Sequence, residues 1–106
     1  MAEIKTVCEK TFRTVVEDSA CPVLVDFYAD WCGPCKMLHP ELEKLAAEAE
    51  DFVVAQVNVD ENNHLAERFN ISNIPCMILF KNGEAADVIV GYRTEKQLKA
   101  LLTDKN

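Results

Sequence analysis

With 106 residues, 49% of them hydrophobic and 27% charged, the chain is sized for one small domain with one core, and no stretch nears the roughly 18 consecutive apolar residues of a membrane span. A formal net charge of -7 argues against nucleic acid and anionic membrane surfaces as partners, because both call for a cationic face. The opening MAEIKTVCEKTF has no apolar h-region and the cysteines number five, an odd count, so a cytoplasmic protein with mostly reduced thiols is expected rather than a secreted disulfide framework.

Glu3 to Val7 reads as a short opening strand. Lys10 to Ser19 (KTFRTVVEDS) then places Phe12, Val15 and Val16 at helical spacing. Pro22 to Ala29 (PVLVDFYA) is a nearly unbroken β-branched and aromatic run, the mark of a strand buried on both faces. From Cys35 to Glu50, Leu38, Leu42, Leu45, Ala46 and Ala49 recur along one helical stripe, and Glu41, Glu43, Lys44, Glu48 and Glu50 fall largely off it as a solvated face. Pro40 lies inside that helix and is expected to kink it. Phe52 to Val59 (FVVAQVNV) is a second inner strand, after which Asp60 is placed to cap a short helix through Glu67. Met77 to Lys81 is a third strand; Asn82-Gly83 is a hairpin signal, and Ala86 to Val90 pairs back as a fourth. Thr94-x-x-Gln97 is a capping box opening a last helix with Leu98, Leu101 and Leu102 on one face. No Gly/Ser/Pro-rich linker, repeat or low-complexity stretch interrupts the chain, so residues 1–106 read as a single domain. The order β-α-β-α-β-α-β-β-α gives an α/β class: crossover helices over parallel strands, with an antiparallel C-terminal hairpin at one edge of a mixed sheet.

Chemistry concentrates at Asp30-Trp31-Cys32-Gly33-Pro34-Cys35-Lys36, where PVLVDFYA ends and the long helix begins. A helix N-terminus leaves backbone N–H groups unpaired and carries partial positive charge. A thiolate placed there is stabilised, so the pKa of Cys32 should fall below the ordinary ~8.5 of a cysteine. Gly33 lets the backbone turn, and Pro34 suits the first helical turn, where its missing N–H costs nothing. Cys35 falls one turn on, on the same face as Cys32. A disulfide closing so short a loop removes little unfolded-state entropy, so it would be a poor staple and a good reversible couple. Asp26 stands inside the apolar strand, where an ionised carboxylate is costly and desolvation should raise its pKa.

The segment PVLVDFYADWCGPCK resembles the active-site stretch of the thioredoxins, and Ile74-Pro75, KNGE at Lys81 to Glu84, and Gly91 follow in family order and spacing. The likeness covers essentially the whole chain. It implies the thioredoxin fold, a central mixed sheet flanked by four helices, and the activity of a protein-disulfide reductase working by thiol–disulfide exchange between Cys32 and Cys35. The Gly33-Pro34 dipeptide is that of the reducing members, in place of the His that oxidases and isomerases carry beside the second Cys. By the same resemblance Asp26 is the buried acid that helps deprotonate Cys35, and Trp31, Ile74, Pro75 and Gly91 form the substrate-binding surface, with Pro75 in the family's cis-proline loop. No bound cofactor is implied beyond the Cys32–Cys35 disulfide. The implied partners are a flavin-dependent thioredoxin reductase as electron donor and protein disulfides such as those of ribonucleotide reductase, peroxiredoxins and methionine sulfoxide reductases, with the protein acting as a monomer.

Several positions depart from the family pattern. Gln56 stands where many relatives carry a lysine close to the buried acid, which should leave the Asp26 pKa more strongly raised. Tyr28 replaces a tryptophan, and Cys76 a threonine. Cys76 reads first as a small core residue and second as a modifiable thiol. His39 lies four residues beyond Cys35, so Cys32, Cys35, His39 and Cys76 together make a thinkable soft-ligand set, which the disulfide-ready Cys-Gly-Pro-Cys argues against; no metal is expected. Cys8 and Cys21 read as small, partly buried residues. The rival to a reductase is a non-catalytic interaction module in which the same surface binds a partner and redox is incidental.

Overall fold

The computed structural model describes residues 3–104. Its five strands are β1 (Lys5–Thr6), β2 (Val23–Tyr28), β3 (Val53–Asn58), β4 (Cys76–Lys81) and β5 (Glu84–Val90), and they form one sheet in the order β1-β3-β2-β4-β5. The helices are α1 (Gly33–Glu48), α2 (Asn63–Arg68) and α3 (Glu95–Asp104), with a π-helical turn at Arg13–Glu17 between β1 and β2. This is the thioredoxin fold.

β2 takes the centre because it is apolar toward both sides: Val23, Leu24, Val25 and Phe27 are all fully buried. β3 runs parallel to it, from Val23 opposite Val53 to Tyr28 opposite Asn58. β4 runs antiparallel on its other side, from Val23 opposite Phe80 to Phe27 opposite Cys76. The period-two alternation of a strand splits the core into two clusters. On one face Val25, Phe27, Ile78 and Phe80 pack with Phe12, Val16 and Leu65, and the Phe12, Phe69 and Phe80 rings meet at 5.3–5.6 Å between centroids. On the other face Leu24, Val54, Met77 and Leu79 pack with Leu38, Leu42 and Leu45 of α1 and Leu98 of α3. Each such leucine, truncated to alanine, costs ~2–5 kcal/mol. Asp26 lies between Leu24 and Tyr28 in the alternation, so its carboxyl is aimed at α1.

Four expectations are corrected. The opening strand is only Lys5–Thr6, continued by one ladder bond from Val7 N to Gln56 O at 2.9 Å; it pairs on one side alone, at the sheet edge. The segment 10–19 forms the π-helical turn instead of a full helix, Asp18 N bonding five residues back to Arg13 O at 2.8 Å, and both Phe12 and Val16 are buried in the core. The long helix begins at Gly33, with Cys32 as its N-cap, and ends at Glu48, bounds earlier at both ends than Cys35 to Glu50; Pro40 lies inside it as expected. Asp60 does not cap α2. The helix starts after Asn62, whose own side chain is spent on Asn58 O (3.0 Å) and Glu9 N (2.9 Å). The His64 N–H is instead met by the Glu9 carboxylate at 2.9 Å. At α3 the capping box forms as expected, Gln97 N to Thr94 Oγ1 at 3.2 Å and Thr94 N to Gln97 Oε1 at 2.9 Å. The Glu95 N–H donates to Glu41 of α1 at 2.8 Å, which ties the two helices together.

Asn82 and Gly83 both have positive φ, 54° and 81°, as the tight β4–β5 turn requires. A Cβ at Gly83 would also stand 2.8 Å from the Glu17 carbonyl oxygen, so the hairpin tip seats on the end of the π-helical turn. Gly83→Ala is therefore expected to destabilise the protein by ~1–3 kcal/mol, from the backbone conformation and the clash together. Gly33→Ala, whose Cβ meets nothing within 4 Å, should leave the urea midpoint nearly unchanged. Equal midpoints for the two variants would refute this reading of the hairpin.

Candidate active site

Cys32 occupies the junction that the sequence singles out. Its backbone is extended (φ -88°, ψ 112°), the chain turns into α1 immediately after it, and Pro34 sits in the first turn. The Cys32 sulfur accepts a hydrogen bond from Cys35 N at 3.2 Å, and the Cys32 carbonyl accepts one from Lys36 N at 3.2 Å. The Lys36 bond is the first intrahelical bond of α1; the Cys35 N–H, one of the groups a helix start leaves open, is turned on the Cys32 sulfur, which is the arrangement that stabilises sulfur anion. Cys32 and Cys35 are joined as a disulfide, with Cα atoms 5.2 Å apart. The pair packs in a small cluster of its own with Ala29, Tyr28, Val59 and Ile74. Gly33 opens the helix without using a left-handed conformation, so at this position the freedom expected of glycine is not what the fold draws on.

The remaining predicted residues converge on the same end of the sheet. The Ile74-Pro75 bond is cis, and the Ile74 carbonyl oxygen lies 3.8 Å from the Cys32 sulfur. Gly91, at the end of β5 with φ 98°, donates its N–H to the Pro75 carbonyl at 2.8 Å and holds that loop against the sheet. A Cβ at Gly91 would come no closer than 3.5 Å to Arg93, so the position calls for glycine by conformation rather than by space. Trp31 is 71% exposed and is held by a hydrogen bond from its Nε1 to the Asp60 carboxylate at 2.9 Å. Asp60 is the residue whose place here sequence reasoning missed; its value as a cap candidate hid its long-range partner. Met37, 62% exposed on α1, is a second large apolar side chain in solvent near the disulfide.

Asp26 is buried, 2% exposed, and its Oδ1 has no hydrogen-bond partner among the described residues. Burial alone pushes its carboxyl from an ordinary 3.8 up to about 7. It lines a cavity of about 330 Å³ between β2 and α1, together with Cys35, Lys36 and His39. Gln56 is its register partner on β3, on the same face of the sheet. Its amide donates to Thr6 at 3.2 Å, so no cation is set against the carboxyl from that position. Tyr28 is also pushed up, chiefly by burial.

The other cysteines divide. Cys76 is buried in the core cluster on the face away from α1, and its thiol is pushed up first by burial and then by the Asp26 carboxylate, so it stands as a protonated small core residue. Cys21 is half-buried. Cys8, expected to be partly covered, is exposed, because it lies on the turn outside the sheet; the Thr11 hydroxyl beside it lowers its pKa. His39 is turned to Glu43, with Nε2 3.5 Å from the carboxylate. Among the described residues no cluster of three or more His, Cys, Asp or Glu is placed to hold a metal ion, and no helix is long and apolar enough to cross a membrane.

The chain matches the thioredoxin family model over residues 3–104. It is 44% identical over 100 residues to a thioredoxin of Alicyclobacillus acidocaldarius subsp. acidocaldarius, covering 93% of this chain and 94% of that one. A thioredoxin of Mycobacterium tuberculosis (strain ATCC 25618 / H37Rv) is 46% identical over 99 residues, covering 92% and 85% of the two chains. One from Chlamydia caviae is 40% identical over 99 residues, covering 93% and 95%.

Two predictions follow from the state of Asp26. The folded protein holds its proton to about pH 7, whereas the unfolded chain loses it near 3.8. Between those values the native state binds the extra proton, so stability falls as pH rises, by ~1.4 kcal/mol per pH unit, to a loss on the order of 4 kcal/mol above neutrality. Asp26→Asn should flatten that slope and raise the urea midpoint at alkaline pH; an unchanged slope in the variant would place the titration elsewhere. Gln56→Lys sets an ammonium beside the carboxyl and should lower the Asp26 pKa, read as the carboxyl carbon shift in an NMR titration; no downward movement would contradict the assignment.

Proposed function

The chain belongs to the thioredoxin family and is a protein-disulfide reductase with a redox-active Cys32–Cys35 couple, and we propose that Cys32 is its nucleophile, Cys35 its resolving thiol and Asp26 the base for Cys35. The observation that carries this assignment is the geometry of the α1 N-terminus. The Cys32 sulfur receives the Cys35 N–H at 3.2 Å, while Asp26 and Cys35 share the cavity behind it.

The exchange runs in two steps. The Cys32 thiolate attacks one sulfur of a substrate disulfide; a mixed disulfide forms and the other substrate sulfur leaves as thiolate, taking the electron pair of the broken bond. Cys35 then gives its proton to Asp26, and its thiolate attacks the Cys32 sulfur. The Cys32–Cys35 bond forms and the second substrate thiolate departs. Substrate gains two electrons and the protein dithiol loses them. An acid buried to a pKa of about 7 is matched to this task, since it can accept a proton near neutrality and return it. Gly33 and Pro34 set the helix start that tunes Cys32. Trp31, Ile74, Pro75 and Gly91 form the surface that receives substrate. The exposed indole supplies an apolar wall, and the Ile74 backbone supplies hydrogen-bonding groups for an extended chain.

As in the family, protein disulfides are the substrates and a thioredoxin reductase restores the dithiol, with no cofactor beyond the disulfide itself. The finer reading is that the reductase is flavin-dependent and that ribonucleotide reductase, peroxiredoxins and methionine sulfoxide reductases are among the acceptors. Residues 1–106 act as one domain, as a monomer, in the cytoplasm.

Insulin reduction monitored by turbidity tests the assignment. Cys32→Ser should abolish activity. Cys35→Ser should lose turnover yet accumulate a mixed disulfide through Cys32, visible by intact mass. Wild-type turnover in Cys32→Ser, or trapping through another cysteine, would overturn it.

A further inference from the structure

We propose that His39 is the outlet through which the proton taken from Cys35 by Asp26 reaches solvent. It would be a positioning residue for the second step, with no part in the disulfide chemistry itself. The inference rests on the reading of Asp26 as the base for Cys35.

The placement of His39 carries it. His39 stands four residues beyond Cys35 on α1, so the two share one helix face. That face and β2 wall a pocket of about 330 Å³, partly open to solvent, on which Asp26, Cys35 and His39 all lie. A second cavity of about 420 Å³, reaching Gln56 on β3 and Glu43, also has His39 on its wall, and His39 is the residue common to both. Its side chain is 46% exposed, with Nε2 3.5 Å from the Glu43 carboxylate. One side chain therefore bridges the buried acid's cavity and the outer surface. The Asp26 Oδ1 has no hydrogen-bond partner among the described residues, although buried polar atoms are nearly always satisfied. A cavity of this size holds several waters at ~30 Å³ each, enough to satisfy that oxygen and to reach the imidazole.

The chemistry of the neighbours leaves the role to histidine. The groups facing this space are Lys36 and Glu43 from α1, Tyr28 and Asp30 from β2 and the loop after it, Gln56 from β3, and Glu3 from the N-terminal segment. An ammonium has no free lone pair, an amide does not titrate, a carboxylate is a weak base near neutrality, and burial drives the Tyr28 phenol further from it. Imidazole is the side-chain type that ordinarily changes protonation between about pH 5 and 8 and can both accept and donate. The relay moves a proton and no electrons. As Cys35 S–H gives its proton to the Asp26 carboxylate, Asp26 passes a proton on through water to the His39 imidazole and the imidazolium releases it to buffer, so that ionisation of Cys35 within the second step is complete only once the proton has left.

The test separates the two chemical steps. Reduced protein mixed with an aromatic disulfide reagent releases a coloured thiolate twice, first on capture by Cys32 and again on attack by Cys35, and stopped-flow absorbance resolves the two. His39→Ala should slow the second step by about threefold to tenfold near neutral pH, less than the ~10²-fold or more that a general base supplies, and leave the first step unchanged. His39→Gln should be equally slow, since it keeps polarity and loses titration, and added imidazole should restore most of the rate in His39→Ala. In an Asp26→Asn background, already slow in the second step, His39→Ala should have no further effect. Circular dichroism and urea midpoints establish that each variant is folded. Wild-type second-step rates in both His39 variants across about pH 6 to 9, or a further multiplied loss in the double variant, would overturn the outlet while the role of Asp26 stands. A wild-type rate in Asp26→Asn alone would overturn the base itself.

Discussion

The constraint on which the rest depends is the burial of β2 on both faces. A strand at the centre of a sheet, covered by the π-helical turn and α2 on one side and by α1 and α3 on the other, is shielded from bulk solvent on both faces. Every residue of Val23–Phe27 is accordingly apolar except one. The single carboxyl that the strand does carry can keep its place only by holding its proton to about pH 7 or by finding water in a cavity. Central position thus creates the acid, and the same strand then delivers the chain to Cys32 at the start of α1.

Two electrostatic environments meet there with opposite sign. At the mouth of α1, open N–H groups and the helix dipole favour negative charge on the Cys32 sulfur. A short distance behind, the apolar sheet opposes negative charge on Asp26. The first favours ionisation of a thiol and the second disfavours that of a carboxyl, and these are the two tendencies on which the proposed nucleophile and base draw. Neither needs a metal or a neighbouring cation. The substitution of Gln56 for the family's lysine leaves that second environment governed by desolvation alone, and the presence of His39 on the cavity wall offers the proton a way out that the amide does not.

Much of this was legible in the chain. PVLVDFYA announced a strand buried on both sides, the Leu38, Leu42 and Leu45 stripe the helix that covers it, Asn82-Gly83 the turn, and Thr94-x-x-Gln97 the cap, because each is a local preference that tertiary packing reinforces. Where neighbours distant in sequence compete, local reasoning failed. Asp60 looked like a helix cap and is instead the acceptor for the Trp31 indole, while the α2 N-terminus takes its acceptor from Glu9, 55 residues from His64. Lys10 to Ser19 had the spacing of a helix, but the segment closes in a π-helical turn at Arg13–Glu17 while Phe12 and Val16 still reach the core.

The sequence by itself determined the α/β class, the central strand, the junction that holds Cys32 and Cys35, and the anomaly of Asp26, since these follow from hydrophobic period, helix-start chemistry and the cost of an isolated charge. Tertiary structure alone decided which groups face one another across elements. It brought the Ile74 carbonyl to the Cys32 sulfur, sent Cys76 to the far face of the sheet, and placed His39 on the wall shared by two cavities. The reason is that strand register and helix docking are fixed by the summed burial of both core clusters, a global quantity that no short stretch of chain contains.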